Sequence, residues 1–210
     1  MDETVTLRPG RDANADLRAF MAIAVRKQGV VGAVAPSSPS LARALTAVVP
    51  SSGTPVVVEL GPGTGSISEA IRCRLAPGSR QIGIDVEPSM VAHLRRAKPW
   101  LEVIHGDAAE LGALLATAGV TRADAVVSTL PWSLFPGPRQ LRILHEIGRV
   151  LAPGAAFTTV TYLHAVPLLR ARAFRRRLRS AFEEVLTTGP VWRNLPPAMM
   201  YVCRRPVPDA

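Results

Sequence analysis

The residues able to do chemistry gather at the ends of short apolar runs. Residues 56 to 65 read VVVELGPGTG, with an acid at Glu59 and glycines at Gly61, Gly63 and Gly65. Glycine lets a backbone turn sharply after a strand and approach a ligand with no Cβ in the way. The spacing is GxGxG, not the GxGxxG of dinucleotide folds, and the Gly-Lys-Ser/Thr of a phosphate loop is absent. Alone, the pattern would serve equally as a tight strand-to-helix turn. Three further blocks accompany it. Asp85 closes GID, Asp107 and Ala108 close HGDA, and Thr129, Leu130, Pro131 and Trp132 follow the fourth run as TLPW. In a parallel sheet such ends converge on the carboxyl edge, where open α/β sheets bind ligands. There Asp85 is placed to accept both ribose hydroxyls of a nucleoside, and Asp107 to hold an adenine amino group. A fifth run ends in TYLHA, which adds a phenol at Tyr162 and an imidazole at His164 as candidate bases or orienting groups.

These residues need elements that bring them together. Short apolar runs predict strands at Val56–Leu60, Gln81–Asp85, Leu101–His105, Asp124–Ser128 and Ala155–Tyr162. Helical patterns alternate with them at about 66–75, 88–97, 108–118 and 138–151, the grammar of βαβ units and a parallel, twisted sheet. Glu184–Thr188 and Met199–Arg204, separated by a Pro-rich stretch, predict an antiparallel hairpin at the sheet edge. An α/β domain over residues 55–206 follows, preceded by a helical extension over 1–54. In that extension Leu17, Phe20, Met21, Ala24 and Val25 share one helical face with cationic flanks. After a loop, Ser38 as N-cap and Pro39 at the first helical position start a second helix through Leu45.

The chain has 210 residues, 48% hydrophobic and 20% charged, which fits one globular domain and excludes a disordered chain. Lys+Arg 25 against Asp+Glu 16 leaves +9. That excess points to a phosphate-bearing polymer or an anionic membrane as partner. Arg170, Arg172, Arg175, Arg176, Arg177 and Arg179 fall on one predicted helix, uninterrupted by an acid, around a stripe of Ala171, Phe174, Leu178 and Phe182. Such a face suits lipid phosphates or RNA phosphates. Cys73 and Cys203 have no metal-site or disulfide-framework spacing, so no metal is expected. The N-terminal MDETVTLRPG is not a secretory signal, and Pro153, Gly154 and Pro167 interrupt the uncharged stretch from Leu151 to Leu169. A cytoplasmic protein without a membrane span is expected.

The ELGPGTG, GID, GDA and STLPW blocks, with the later RVLAPGA turn, resemble a class I S-adenosylmethionine-dependent methyltransferase. The flanking FMAIAVRKQGVVGAVAPSSPSLARAL, the LPW turn and VWRNLPPAMMYVCRR resemble bacterial phospholipid N-methyltransferases, which methylate phosphatidylethanolamine. The resemblance spans most of residues 15–205. It implies a Rossmann-like, mostly parallel seven-stranded sheet with helices on both faces and an N-terminal helical extension. It also implies S-adenosylmethionine as cofactor, with Glu59, Gly61, Gly63 and Gly65 framing the methionyl part. Asp85 would take the ribose, Asp107 and Ala108 the adenine, and Thr129 would complete the cofactor set. Tyr162 matches a tyrosine often found at that place in the lipid enzymes, and Leu130, Pro131, Trp132, Arg175 and Arg176 fall to the acceptor side. The implied partner is a lipid amine on an anionic membrane, reached through the N-terminal helix and Arg170–Arg179.

Methyl transfer from a sulfonium is an in-line displacement that needs positioning and no covalent nucleophile. An alkylammonium head group with a pKa near ~10 requires on the order of 4 kcal/mol to free its lone pair at neutral pH, so a proton acceptor is needed. Methylated products keep positive charge, which Trp132, Tyr162 and Trp192 could face as aromatic walls, although Trp192 taken alone reads as core. Ribosomal RNA adenine dimethylases carry Asn-Leu-Pro-Tyr at the fourth strand end, where this chain has Thr129 and Trp132, and they add a C-terminal RNA-binding domain. Nucleic acid is therefore disfavoured. A small-molecule or RNA methyltransferase stays open, as does a non-catalytic membrane- or nucleic-acid-binding protein.

Overall fold

A computed structural model describes residues 37–208. The amphipathic helix expected over Leu17–Val25 lies outside the described residues. In chain order the elements are α1 (Pro39–Leu45), β1 (Val56–Leu60), α2 (Ser66–Arg72), β2 (Arg80–Asp85), α3 (Pro88–Ala97), β3 (Glu102–His105), α4 (Leu111–Thr117), β4 (Ala123–Ser128), α5 (Gly137–Val150), β5 (Leu151–Tyr162), α6 (Leu169–Ala181), β6 (Phe182–Thr187) and β7 (Ala198–Pro206). The strands form one sheet in the order β3-β2-β1-β4-β5-β7-β6. β1 to β5 pair in parallel, and β7 runs antiparallel between β5 and β6.

The apolar run of β1 is central because both of its faces are covered. Val57, Val58 and Leu60 are fully buried. On one face Leu41, Leu45 and Val49 join Ile67 and Ile71 of α2 against Val57, Ala125 and Val127. Right-handed crossovers put α2 and α3 on this face and α4 and α5 on the other. Ser38 caps α1 as expected, its side chain accepting the Leu41 N–H, and Pro39 follows in the first turn. Buried Thr158 of β5 donates its hydroxyl to the Leu45 carbonyl at 3.0 Å, which fixes α1 to the sheet.

Two expected elements differ in detail. The helix expected over 108–118 is a short 3-10 turn, Ala108–Glu110, followed by α4, because Asp107 caps the turn by accepting the Ala109 N–H. β5 begins at Leu151, immediately after α5, and its register against β4 shifts where the Ala-Pro-Gly sequence bulges out. Among the described residues, no helix is long and apolar enough to cross a membrane.

Candidate active site

The parallel register carries four strand ends to one rim, and backbone hydrogen bonds lock them there. Gly61 N–H donates to the Ile84 carbonyl at 2.9 Å, Gly106 N–H to that of Asp85 at 3.0 Å, and Thr129 N–H to that of Leu60 at 3.1 Å. Gly61, Gly63 and Gly65 all take positive φ, at 70°, 55° and 82°. They do different work. A Cβ on Gly61 would press on the Leu130 side chain, and one on Gly65 would collide with the Lys98 side chain. One on Gly63 would meet nothing within 4 Å. Gly63 is thus where the loop backbone lies open.

Asp85 stands beside that opening. Its Oδ2 accepts the Gly63 N–H at 3.3 Å and its Oδ1 the Glu87 N–H at 2.9 Å, so the carboxylate holds the loop while lone pairs remain for a ligand. Burial pushes its pKa up, and the two backbone donors oppose that shift. Glu59 lies beneath the loop, fully buried. Its Oε2 accepts from Gln81 Nε2 at 3.4 Å, and that same nitrogen donates to the Ser68 carbonyl of α2. Burial raises the Glu59 carboxyl to about 7, opposed first by the neighbouring Ser68 and Gln81 side chains and less by the charge of Lys98. Thr129 donates its hydroxyl to the Gly61 carbonyl at 2.6 Å, which ties β4 to the glycine loop.

Asp107 and Ala108 arrive at the same rim. Asp107 is already gripped: Arg139 of α5 donates from Nη2 to Oδ1 at 2.8 Å and to Oδ2 at 2.7 Å. Arg139 also stacks its guanidinium over Phe135 at 5.2 Å. Sequence reasoning missed Arg139. A signal existed, since an arginine in the first turn of a helix opposes the macrodipole and needs a carboxylate partner. It also missed Lys98, one of two lysines in the chain, which is buried, ion-paired with Glu69 and placed over the Trp100 ring at 5.8 Å.

On the acceptor side the residues separate. Tyr162 and His164 come together, their rings stacked 5.8 Å apart at 13° where β5 ends. Burial raises the Tyr162 pKa above its usual value. Trp132 goes into the core, stacked on Phe174 at 4.7 Å and edge-on to Phe135 and Phe157. Its packing role follows from α6, whose buried Phe174 stacks on it. Gln140 fixes the Leu130–Pro131–Trp132 turn by donating to the Trp132 and Phe135 carbonyls at 2.7 and 3.1 Å. Arg177 in turn donates to Gln140 Oε1 at 3.0 Å, so this arginine points inward rather than joining an exposed basic face. Arg175 is half-buried and Arg176 exposed. Trp192, expected in the core, is 71% exposed.

The open glycine at Gly63 and the Asp85 carboxylate beside it fit a nucleoside bearing an amino-acid tail. Residues 57–154 match the family model described as a methyltransferase domain. The ornithine lipid N-methyltransferase of Singulisphaera acidiphila is 36% identical over 177 residues, spanning 83% of this chain and 88% of that protein. Among solved structures, the O-methyltransferase from Bacillus cereus in complex with SAH superposes with a TM-score of 0.64 at 14% identity, over 93% of each chain. Aeropyrum pernix fibrillarin with natively bound S-adenosyl-L-methionine gives a TM-score of 0.55 at 14% identity, covering 76% of this chain and 73% of its own. The structures share the fold. The chain belongs to the S-adenosylmethionine-dependent methyltransferases, in the family that includes the Singulisphaera lipid N-methyltransferase. S-adenosylmethionine is its cofactor.

Proposed function

We propose that this protein methylates the head-group nitrogen of a lipid amine, phosphatidylethanolamine or a close relative, at a membrane surface. The observation that carries the reading is the 36% identity to a lipid N-methyltransferase across 83% of the chain. Bound S-adenosylmethionine supplies a methyl group activated on a sulfonium. Gly63 and Asp85 would hold its nucleoside and tail, Asp107 and Ala108 its base, and Glu59 would support the loop from beneath. Thr129 keeps the loop and the fourth strand end in register, so donor and acceptor meet in one geometry.

The acceptor must shed a proton before its lone pair is free. Tyr162 cannot take it near neutral pH, because burial moves its phenol still further from ionisation. The phenol orients the amine through its oxygen, and its ring faces the growing positive charge at ~0.5–2 kcal/mol. His164, exposed and stacked on that ring, is the proton acceptor in this reading. Leu130 and Pro131 line the approach, and Arg175 and Arg176 meet the lipid phosphate.

The test is transfer of labelled methyl from S-adenosylmethionine by the purified chain to detergent-dispersed phosphatidylethanolamine, to ornithine lipid, to ribosomal RNA and to small amines. Mass spectrometry of the products identifies the acceptor. Labelled lipid head groups are expected. Label confined to RNA or to small amines would overturn the reading.

A further inference from the structure

The two connections at the far end of β5 carry a surface that the chemistry does not use. Leu168 and Leu169, where α6 begins, are 55% and 81% exposed, and Trp192 and Leu195, between β6 and β7, are 71% and 81% exposed. Both connections leave the sheet at the rim where β5 ends. Tyr162 pairs with Ala198, and Leu163 N–H donates to the Pro197 carbonyl at 2.9 Å.

The exposure is not slack. Asn194, almost fully buried, accepts the Ser38 N–H at 3.0 Å and donates to the Pro196 carbonyl at 2.8 Å, while Val191 bridges to Ala198. The backbone is therefore tied down with its large apolar side chains turned outward. Single exposed leucines need no explanation, but a tryptophan and three leucines on two linked connections do. Arg170, Arg172 and Arg193 stand exposed beside them in the sequence. No Asp or Glu occurs from Leu163 to Phe182 or from Thr188 to Pro208. Apolar tips among arginines, without an acid, complement a layer whose phosphates are anionic and whose interior is acyl chain.

We infer that this rim patch is a membrane-docking surface that seats the protein on an anionic bilayer with the strand-end site turned toward the head groups. The inference rests on the lipid-amine reading above. It assigns insertion to Leu169, Trp192 and Leu195, and electrostatic contact to Arg170, Arg172 and Arg193.

The experiment uses the full chain with vesicles of phosphatidylcholine alone and of phosphatidylcholine with phosphatidylglycerol. The wild-type protein is expected to cosediment with the phosphatidylglycerol vesicles. Its tryptophan emission should shift to the blue on binding, a shift that Trp192→Phe abolishes. Leu169→Ser combined with Leu195→Ser should lower partitioning about tenfold, since two large apolar side chains no longer leave water. Retained S-adenosylmethionine affinity in that variant establishes that it is folded. Equal vesicle binding by the double variant and the wild type would overturn the proposal, as would no wild-type binding to either vesicle. Wild-type self-association that the double variant abolishes, without vesicle binding, would make the patch a protein interface and overturn it too. Methylation in detergent is measured separately. Its absence would remove the lipid-amine reading whatever the vesicles show, so the two failures are told apart.

Discussion

Arg139 and Asp107 form a two-pronged ion pair across the site, one guanidinium nitrogen lying 2.8 and 2.7 Å from the two carboxylate oxygens. Asp107 also caps the Ala108–Glu110 turn through the Ala109 N–H at 2.8 Å. The acid assigned to the adenine thus arrives already oriented, and Arg139 does the orienting. Both side chains are largely buried, so removing one of them leaves the other's charge poorly solvated, a larger loss than breaking a surface bridge.

Arg139→Ala should weaken S-adenosylmethionine binding about tenfold by loosening Asp107, and Asp107→Ala should do at least as much. Because the two act as one unit, the double variant should lose little more than Asp107→Ala alone. Titration calorimetry on the three variants checks this. Fully additive losses would show that Arg139 acts independently of the acid.

The three glycines of the loop make separable predictions. Gly65→Ala forces φ of 82° on an alanine and drives its Cβ into Lys98, which is buried and paired with Glu69. A stability loss of roughly 2–4 kcal/mol is expected in urea unfolding. Gly63→Ala carries only the left-handed strain, about 1 kcal/mol, since its Cβ meets no protein atom. That methyl enters the space proposed for the cofactor, so affinity should fall by tenfold or more in a protein that stays folded. Unchanged affinity in Gly63→Ala would move the cofactor elsewhere.

Much of this was legible in the residue pattern. VVVELGPGTG announces a buried strand and a turn only glycine can make, and the acids of GID and GDA mark the next two strand ends. The partners that complete the site were harder to see because they come from distant elements. Arg139 reaches Asp107 across 32 positions, and Gln140 joins the Trp132 turn to Arg177 of α6. Trp132 lies in the core and Trp192 at the surface, each away from its expected place, for the same reason. α6 closes over the first, and Asn194 fixes the strand connection that turns the second to solvent.

Tyr162 and His164 are stacked, but their proposed tasks differ, and turnover can separate them. His164→Ala should lower the rate about a hundredfold near neutral pH, the usual scale for a lost general base. Raising the pH toward the amine's own pKa near ~10 should recover much of that loss, because solvent then removes the proton. Tyr162→Phe should lower the rate by a smaller factor, about tenfold, without such recovery and without a change in cofactor affinity. Full activity in His164→Ala at neutral pH would place the proton acceptor on another group.

Glu59 supplies the pH prediction. Its carboxyl is raised from 4.5 to about 7 by complete burial. A raised acid pKa means that between these values the native state keeps a proton that the unfolded chain releases, so stability falls as pH rises through that window. The span corresponds to about 3 kcal/mol at most, levelling off above the native value. Glu59→Gln keeps the shape and the hydrogen bond while removing the titration, because an amide accepts from Gln81 without ionising. Urea unfolding across the window should therefore show a falling stability for the wild type and a flatter profile for Glu59→Gln, with the variant gaining on the wild type toward neutral pH. Parallel profiles would show that Glu59 stays ionised beneath the glycine loop and that its charge is met by Lys98.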